Sequence, residues 1–375
     1  MSVSSISDKN KYLLWVRAGG NCQYEGCNKN LAQDIVTKRN FNSAYIAHIV
    51  ADVANGPRGC ATRSPLLGDD ISNLMLLCDT HHRLIDKDDV DGHPEDTLKA
   101  MKLNHENRIA RLTAMAPGMH SHMVIYKANV GVHTPVLTYE SLRDHLLPSH
   151  YPAHDQVIDL SLTNSPQRDR DSTFWQMELD VLEKHFNEKL KQRIQKQEIT
   201  HMSLFAFAPI PLLIKLGSML NDIQHIRVHQ PVRNPKTWRL AEAKDQIPYQ
   251  VHHTPGTAQQ AALNISLSAT ITPDRIKKVV GDDATIYTLT IDQPFNDFLK
   301  NNVHLEDFSK AARQLFDQIK SVHGNQPLHI FPAMPIATAV EFGRIWMPKA
   351  DMPLHIYDEN TSTGGFSKVM EIVNI

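Results

Sequence analysis

Cysteine is scarce in this sequence and unevenly spread: Cys22, Cys27, Cys60 and Cys78 lie in the first 80 positions and none follows. In a reducing compartment that clustering favours a metal over cross-links. An excess of one charge is also missing. Thirty-nine basic residues face 41 acidic ones, leaving a net charge of −2, so the chain is not a strongly basic nucleic-acid coat. Any DNA surface must be local, or be assembled from several copies. No apolar run approaches the ~18 residues of a membrane helix. The opening stretch lacks the basic start and apolar core of a signal peptide, so a cytoplasmic location is expected.

What is present reads as two domains, 1–120 and 121–375. In the first, a helix is predicted over Lys9–Arg17, capped by Ser7 or Asp8 and ended by Gly19 and Gly20, with Tyr12, Leu13 and Val16 as its apolar stripe. A β-like run Tyr45–Val50, the loop Asn55–Gly59 and a strand Leu74–Leu77 follow. The segment Cys78–Asp86 turns into a helix, with Asp79 or Thr80 as cap, and Pro94–Ala114 is a longer helix. Met115–His122 reads as the linker. Beyond it strands alternate with helices, which predicts an α/β domain with a mainly parallel sheet.

The second domain repeats itself near 201–229 and 327–357. Phe205, Pro209, Ile210 and Gly217 recur as Phe331, Pro335, Ile336 and Gly343, each at an offset of 126. The shared order of strand, turn, Pro-Ile, helix, Gly and strand points to two Rossmann-like halves related by a pseudo-twofold. The competing reading is two ordinary βαβ units of one sheet.

Cys22 and Cys27 have C-x4-C spacing, and Cys78 and His81 make a C-x2-H pair. Structural zinc takes four tetrahedral N or S ligands from pairs so spaced. Two such pairs can close one site and staple a small, loop-rich domain. The competing reading is a set of buried free thiols. Cys60 has no paired partner and reads as a spare thiol. Helical neighbours point about 100° apart, so His81 serves the zinc while His82 faces elsewhere. His48 stands in an apolar strand, where a lone histidine is ordinarily a satisfied core residue.

The ordered set Cys22/Cys27, Ala47-His48-Ile49, Gly56-Pro57-Arg58-Gly59, Asn73-Leu74, Leu77-Cys78 and His81-His82 resembles the HNH endonuclease family, over roughly residues 10–90. The resemblance implies a zinc-stabilised α+β domain of the ββα-metal type. It implies His48 as general base, Asn73 as the residue that orients it, and His82 as ligand of Mg²⁺ or a similar ion. An imidazole titrates near neutral pH and can take the proton of an attacking water. A metal stabilises charge at the phosphate. Arg58 is a candidate phosphate contact or a surface turn residue. The family's acidic metal ligand before the base is replaced by Ala47, which leaves the ion to His82, waters, substrate phosphates or another carboxylate. Asp52 and Asp86 are candidates, or plain surface charges.

The second domain holds no Walker loop, G-x-S-x-G or strand-linked G-x-G-x-x-G, which argues for binding or regulation. Its segment Leu328–Pro335, with Gly343-Arg344 and Ile356-Tyr357-Asp358, resembles SAVED domains, built from two fused CARF-like Rossmann units. An HNH domain followed by SAVED resembles effector nucleases of bacterial cyclic-oligonucleotide anti-phage signalling. The resemblance implies that a cyclic di- or trinucleotide drives assembly of a homo-oligomer (dimer or tetramer) that degrades double-stranded DNA. By chemistry alone, Lys236, Trp238, Met334, Pro335, Tyr357 and Thr361 are candidates for the ligand, each with a competing structural reading. The rival functions are a constitutive restriction enzyme whose α/β domain reads DNA, and a zinc-stabilised binding module with a degenerate nuclease pocket.

Overall fold

A computed structural model describes residues 5–34, 36–116, 118–162, 165–221, 225–257, 259–360 and 364–373. The chain divides into two units, Met1–Pro117 and Gly118–Ile375.

The first unit opens with α1 (Asp8–Ala18). The Ser7 hydroxyl accepts from the Asn10 amide, and Gly19 ends the helix at φ 60°, a left-handed conformation natural to glycine. The buried face of α1 is Leu14 and Ala18. The predicted stripe is therefore corrected: Tyr12 and Val16 are over 70% exposed. Strand β1 (Ala44–His48) is joined by the short α2 (Ser64–Leu67) and a 3-10 turn to β2 (Leu74–Cys78). The two strands pair antiparallel, from Ala44 opposite Cys78 to His48 opposite Leu74. Every residue of β2 is buried. Helix α3 (Asp79–Arg83) follows at once and runs on as a π turn over Leu84–Asp88. Its cap position is Cys78 rather than Asp79 or Thr80. Helix α4 (Glu95–Thr113) completes the unit. Leu14, Leu31, Ile49, Leu74, Leu76 and Ile85 share its small core.

The second unit begins with β3 (His120–Lys127), which starts inside the stretch predicted as linker. Then come α5 (Tyr139–Leu142), β4 (Tyr151–Pro152), β5 (Ile158–Asp159), α6 (Phe174–Phe186) and, after a π turn, α7 (Gln192–Gln195). Strand β6 (Met202–Phe207), α8 (Ile210–Leu220) and β7 (Ile226–His229) close the first half. The second half contains β8 (Gln250–Thr254), β9 (Ala261–Ser266), α9 (Pro273–Val280), β10 (Thr285–Thr290) and α10 (Asn302–His323). It ends with β11 (Leu328–Ala333), α11 (Ile336–Ile345), β12 (Leu354–Asn360) and β13 (Gly365–Ile372).

Among its described residues the second unit holds two sheets, not one. The first runs β4-β3-β6-β7, with β5 also on β3, and all its pairings are parallel. The second runs β13-β12-β11-β9-β10-β8, parallel inside with antiparallel strands at both edges. The repeats β6–α8–β7 and β11–α11–β12 therefore lie in different sheets, which removes the one-sheet alternative.

The two repeat helices cross at their glycines. A Cβ on Gly217 would lie 2.0 Å from the Val340 carbonyl oxygen and 3.0 Å from the Arg344 nitrogen. One on Gly343 would lie 2.0 Å from the Ile214 oxygen and 2.8 Å from the Ser218 nitrogen. Each contact maps onto its counterpart at the same offset of 126, so the pseudo-twofold passes between these glycines. Hydrogen in place of a side chain lets backbone touch backbone. Helix α8 is buried along nearly all its faces, including Leu212, Leu213, Ile214 and Leu216, as expected of a central helix rather than an amphipathic surface one.

Among the described residues no helix is long and apolar enough to cross a membrane.

Candidate functional site

The four residues predicted for zinc come together. The ligand atoms of Cys22, Cys27, Cys78 and His81 all lie within 4.8 Å of one another. His81 Nδ1 is 3.2 Å from Cys78 Sγ and 3.8 Å from Cys22 Sγ. A tetrahedral zinc with Zn–S near 2.3 Å holds its ligand atoms roughly 3.3–3.8 Å apart. The set therefore fits such an ion in donor type and spacing. The two halves arrive by different routes. Cys22 follows the tight glycine exit of α1, and Cys78 ends β2 where α3 begins, so that His81 stands one turn further on. Burial pushes the Cys22 thiol up to about 12, against the lowering effect of amide donors from Cys78 and Tyr24. A thiolate there would need a bound cation to offset its cost. Burial, and then the charge of His93, lowers His81 and keeps it a neutral donor. Tyr24 stacks flat on the His81 ring, with centroids 4.1 Å apart, and its hydroxyl meets His93 Nε2 at 2.9 Å. This aromatic brace was not anticipated. Its signal was a tyrosine between the two cysteines of the first pair. Cys60 stands apart, against the Thr62 hydroxyl at 3.3 Å.

His82 turns the other way. Its ring stacks on Tyr45 at 4.9 Å, and its Nε2 faces Asp86 Oδ2 at 3.4 Å. Tyr45 and Ala47 share one face of β1, because side chains alternate along a strand. His48 is buried at the end of β1, with Nε2 2.9 Å from the Gly68 carbonyl. A carbonyl only accepts, so Nε2 carries the proton in the neutral ring and Nδ1 holds the free lone pair. Asn73 pins the chain just beyond. Its side chain accepts from the Val50 amide at 2.8 Å, and donates to the Val50 carbonyl at 2.8 Å and the Leu67 carbonyl at 3.2 Å. Both ends of the loop that carries Gly68 are thus tied to the exit of β1.

Arg58 lies in a turn, but its side chain points inward and is paired there. Its guanidinium donates to the carbonyls of Ile49 at 2.6 Å and Ile85 at 2.7 Å and to Asp86 at 2.7 Å. The side chain is 8% exposed, so its donors are used inside the unit. Its loop is fixed by sterics: a Cβ on Gly59 would lie 2.5 Å from the Val53 carbonyl oxygen. Asp86, one of the two carboxylates considered beside His82, is held between Arg58 and His82. Beyond the Cys/His set, no other group of three or more metal-type ligands is gathered among the described residues.

In the second unit most of the proposed ligand residues belong to the core. Tyr357 is buried, stacked on Phe331 at 4.5 Å, with its hydroxyl 2.8 Å from His329 Nδ1. Met334 is buried in the main core, and Pro335 is the buried cap position of α11. All three are buried; Met334 and Pro335 lie where β11 hands over to α11, and Tyr357 lies within β12. Trp238 is half-buried, edge-on to Phe205 at 5.6 Å. Lys236 is exposed. Thr361 lies outside the described residues.

The family profile described as "SAVED: SMODS-associated and fused to various effectors sensor domain" matches residues 182–372, just over half of the chain. Among solved structures, the Acinetobacter baumannii Cap4 SAVED/CARF-domain containing receptor with the cyclic trinucleotide 2'3'3'-cAAA is similar at 14% identity. The match covers 74% of this chain and 62% of that one, with a TM-score of 0.45. The Moraxella osloensis Cap4 SAVED/CARF-domain containing receptor is similar at 13% identity, with coverages of 74% and 60% and a TM-score of 0.41. The chain thus spans less than two thirds of the length of these receptors. No curated protein matches it.

Proposed function

The chain belongs to the SAVED family of sensor domains, and from that premise we propose that it is a sensor-gated DNA endonuclease of bacterial anti-phage signalling. The family's domains are fused to various effectors, and on this reading Met1–Pro117 is the effector, of HNH type. The observation that carries it is the junction of β2 and α3. There Cys78 and His81 close the four-ligand cage while the adjacent His82 turns toward Tyr45 and Asp86. The antiparallel partner strand ends in His48.

In this reading each residue has a task. The Gly68 carbonyl holds the His48 tautomer, so Nδ1 is free to take a proton from the attacking water. Asn73 keeps the end of β1 and its loop in register, which fixes where His48 points. The cage, filled by zinc, locks α3 onto β2 and so orients His82. His82 and Asp86 offer one imidazole and one carboxylate to a divalent ion, a sparse set that water and substrate phosphate complete. When bound, Mg²⁺ or a similar ion supplies charge stabilisation at the phosphate. With Ala47 contributing no carboxylate, the site depends on substrate to hold its ion, which suits an enzyme kept silent at rest.

A cyclic di- or trinucleotide received by the SAVED unit is the activating signal on this reading. Homo-oligomerisation is the switch, concentrating several weak DNA-contacting units on one duplex.

The test is degradation of plasmid DNA with Mg²⁺, with and without a panel of cyclic di- and trinucleotides, using the native chain and His48→Ala. Cutting that needs one ligand and is lost in His48→Ala is the expected result. Cutting without ligand would favour a constitutive restriction enzyme. Ligand-dependent activity unchanged in His48→Ala would sink the catalytic assignment.

A further inference from the structure

The loop that leaves β1 folds back on the strand's exit. The Ala51 amide donates to the Pro57 carbonyl at 3.1 Å, and the Gly59 amide to the Gly56 carbonyl at 2.9 Å. A Cβ on Gly56 would lie 2.5 Å from the Ala51 Cβ, and one on Gly59 2.6 Å from the Ala54 carbonyl oxygen. Between these glycines Arg58 stands at φ 56°, in the left-handed region that disfavours any residue with a Cβ. Glycine would suit that backbone better, so the reason for an arginine lies in its side chain. Strain of this kind persists where the surroundings over-determine it, and it collects at functional sites.

The guanidinium donates to separate segments of the unit. Nε reaches the carbonyl of Ile49, the residue after His48, and the terminal nitrogens reach the Ile85 carbonyl and Asp86 Oδ1. Asp86 Oδ1 is thereby occupied, and Oδ2 is left facing His82 Nε2 at 3.4 Å. Bonds of about 2.1 Å let one Mg²⁺-like ion touch ligand atoms roughly 3–4 Å apart, so that pair fits an ion. A lysine could not do the same, because its ammonium is a compact point charge without a planar fork.

We propose that Arg58 is the positioning residue of the nuclease centre: its guanidinium presents one Asp86 oxygen to the catalytic ion and ties that carboxylate's turn to the exit of the strand carrying His48. The inference rests on the reading of His82 and Asp86 as ion ligands. One side chain then sets the base and the metal carboxylate relative to each other. Both must act at the same phosphorus, where a misplacement of about 1 Å can cost roughly 100-fold. The charge of Arg58 works in the other direction, since a guanidinium beside Asp86 repels a cation. Position and charge therefore predict opposite signs for the effect of removing it.

The experiment is titration of the full chain, supplied with zinc, with Mn²⁺ alone, reading the free ion by electron paramagnetic resonance well below the melting temperature and up to millimolar concentrations. His82→Ala sets the baseline for Mn²⁺ held elsewhere. Arg58→Gly removes the side chain at a φ that glycine adopts freely, and Arg58→Lys keeps the charge but loses the fork. Both weaken the His82-dependent binding about tenfold or more, as loss of a hydrogen-bond partner of a metal ligand does. Zinc content and cooperative melting are retained, which separates position from simple unfolding. Should Arg58→Gly lose its zinc, Arg58→Lys carries the test. Unchanged binding in Arg58→Lys, or tighter binding in folded Arg58→Gly, overturns the proposal and leaves the nuclease reading standing. A native chain without His82-dependent Mn²⁺ binding overturns the ion-ligand reading and this inference with it.

Discussion

Replacing Gly343 by alanine tests the pseudo-twofold core through the sign of the effect. In an ordinary helix interior that change stabilises, by about 0.5–1 kcal/mol, because alanine loses less backbone entropy. Here the added methyl would sit 2.0 Å from the Ile214 carbonyl oxygen, where 3.4 Å is ordinary contact. Backbone cannot rotate away as a long side chain can, so α8 and α11 must part by more than 1 Å. A gap of 0.5–1 Å already forfeits a quarter to a half of each contact's attraction. Overpacking in cores costs about 1–3 kcal/mol, and more where backbone must shift. The net expectation is a loss of about 3 kcal/mol. For a domain this size that lowers the melting temperature by roughly 6–12 °C. Differential scanning calorimetry on the native chain, Gly343→Ala, Gly217→Ala and the double variant reads it. Parting the helices once relieves both clashes, so the double variant costs less than the sum of the singles. A Gly343→Ala chain as stable as the native one, or more so, refutes the backbone-on-backbone crossing.

Three further outcomes follow from the geometry. The purified chain carries one equivalent of zinc by elemental analysis, and Cys78→Ser loses it and lowers the melting of Met1–Pro117; retention of zinc by that variant would exclude Cys78 as a ligand. Asp86→Ala leaves the buried Arg58 charge without its carboxylate and destabilises by about 3 kcal/mol, as breaking a buried pair does; a loss below about 1 kcal/mol in urea unfolding would show that the pair is screened. Burial holds His229 down at about 3 and His201 and His329 at about 4, so on acidification the unfolded chain binds protons near 6.5 before the folded one does. Stability therefore rises with pH between about 4 and 6.5. Glu178, raised to about 7, has the opposite sign: its folded form keeps a proton that the unfolded chain has lost. Glu178→Gln should accordingly make the rise from pH 4.5 to 7 steeper, and a shallower rise would contradict the burial of that carboxylate.

Much of the fold was legible because local rules and packing agree there. The C-x4-C and C-x2-H pairs carry their own geometry, since a four-ligand cage needs few residues and fixed spacings. The offset of 126 was legible for a related reason. A twofold contact demands the same residue on both sides, so Gly217 and Gly343 had to match where most of the surrounding sequence had drifted. The polar edge strand β8 leaves no mark in the sequence, because its side chains are largely exposed and no apolar alternation runs through it. On α1 the stripe was misassigned: Tyr12 and Val16 satisfy helical spacing, but Leu14 and Ala18 face the core.

The functional residues divide along the same line. His48, Asn73 and His82 could be proposed because their order along the chain is itself a pattern, whereas the sequence does not report the acceptors that surround Arg58. Met334, Pro335 and Tyr357 were chosen as the chemistry at strand ends. In a unit whose halves meet through α8 and α11, such residues are consumed by packing. A different kind of signal, physical rather than positional, lies in α6. Phe174, Leu182 and Phe186 set an apolar row with a spacing of four, and Glu178 interrupts it. A charge on the buried face of a helix must be paired by the protein, neutralised by a proton, or met by something that binds. Burial raises the Glu178 carboxyl to about 7, only partly offset by the Ser165 hydroxyl, so a proton and that hydroxyl share the cost of its burial. A break in hydrophobic periodicity is thus a sequence-level sign of a carboxyl whose pKa burial must raise, which the composition of the loops does not report.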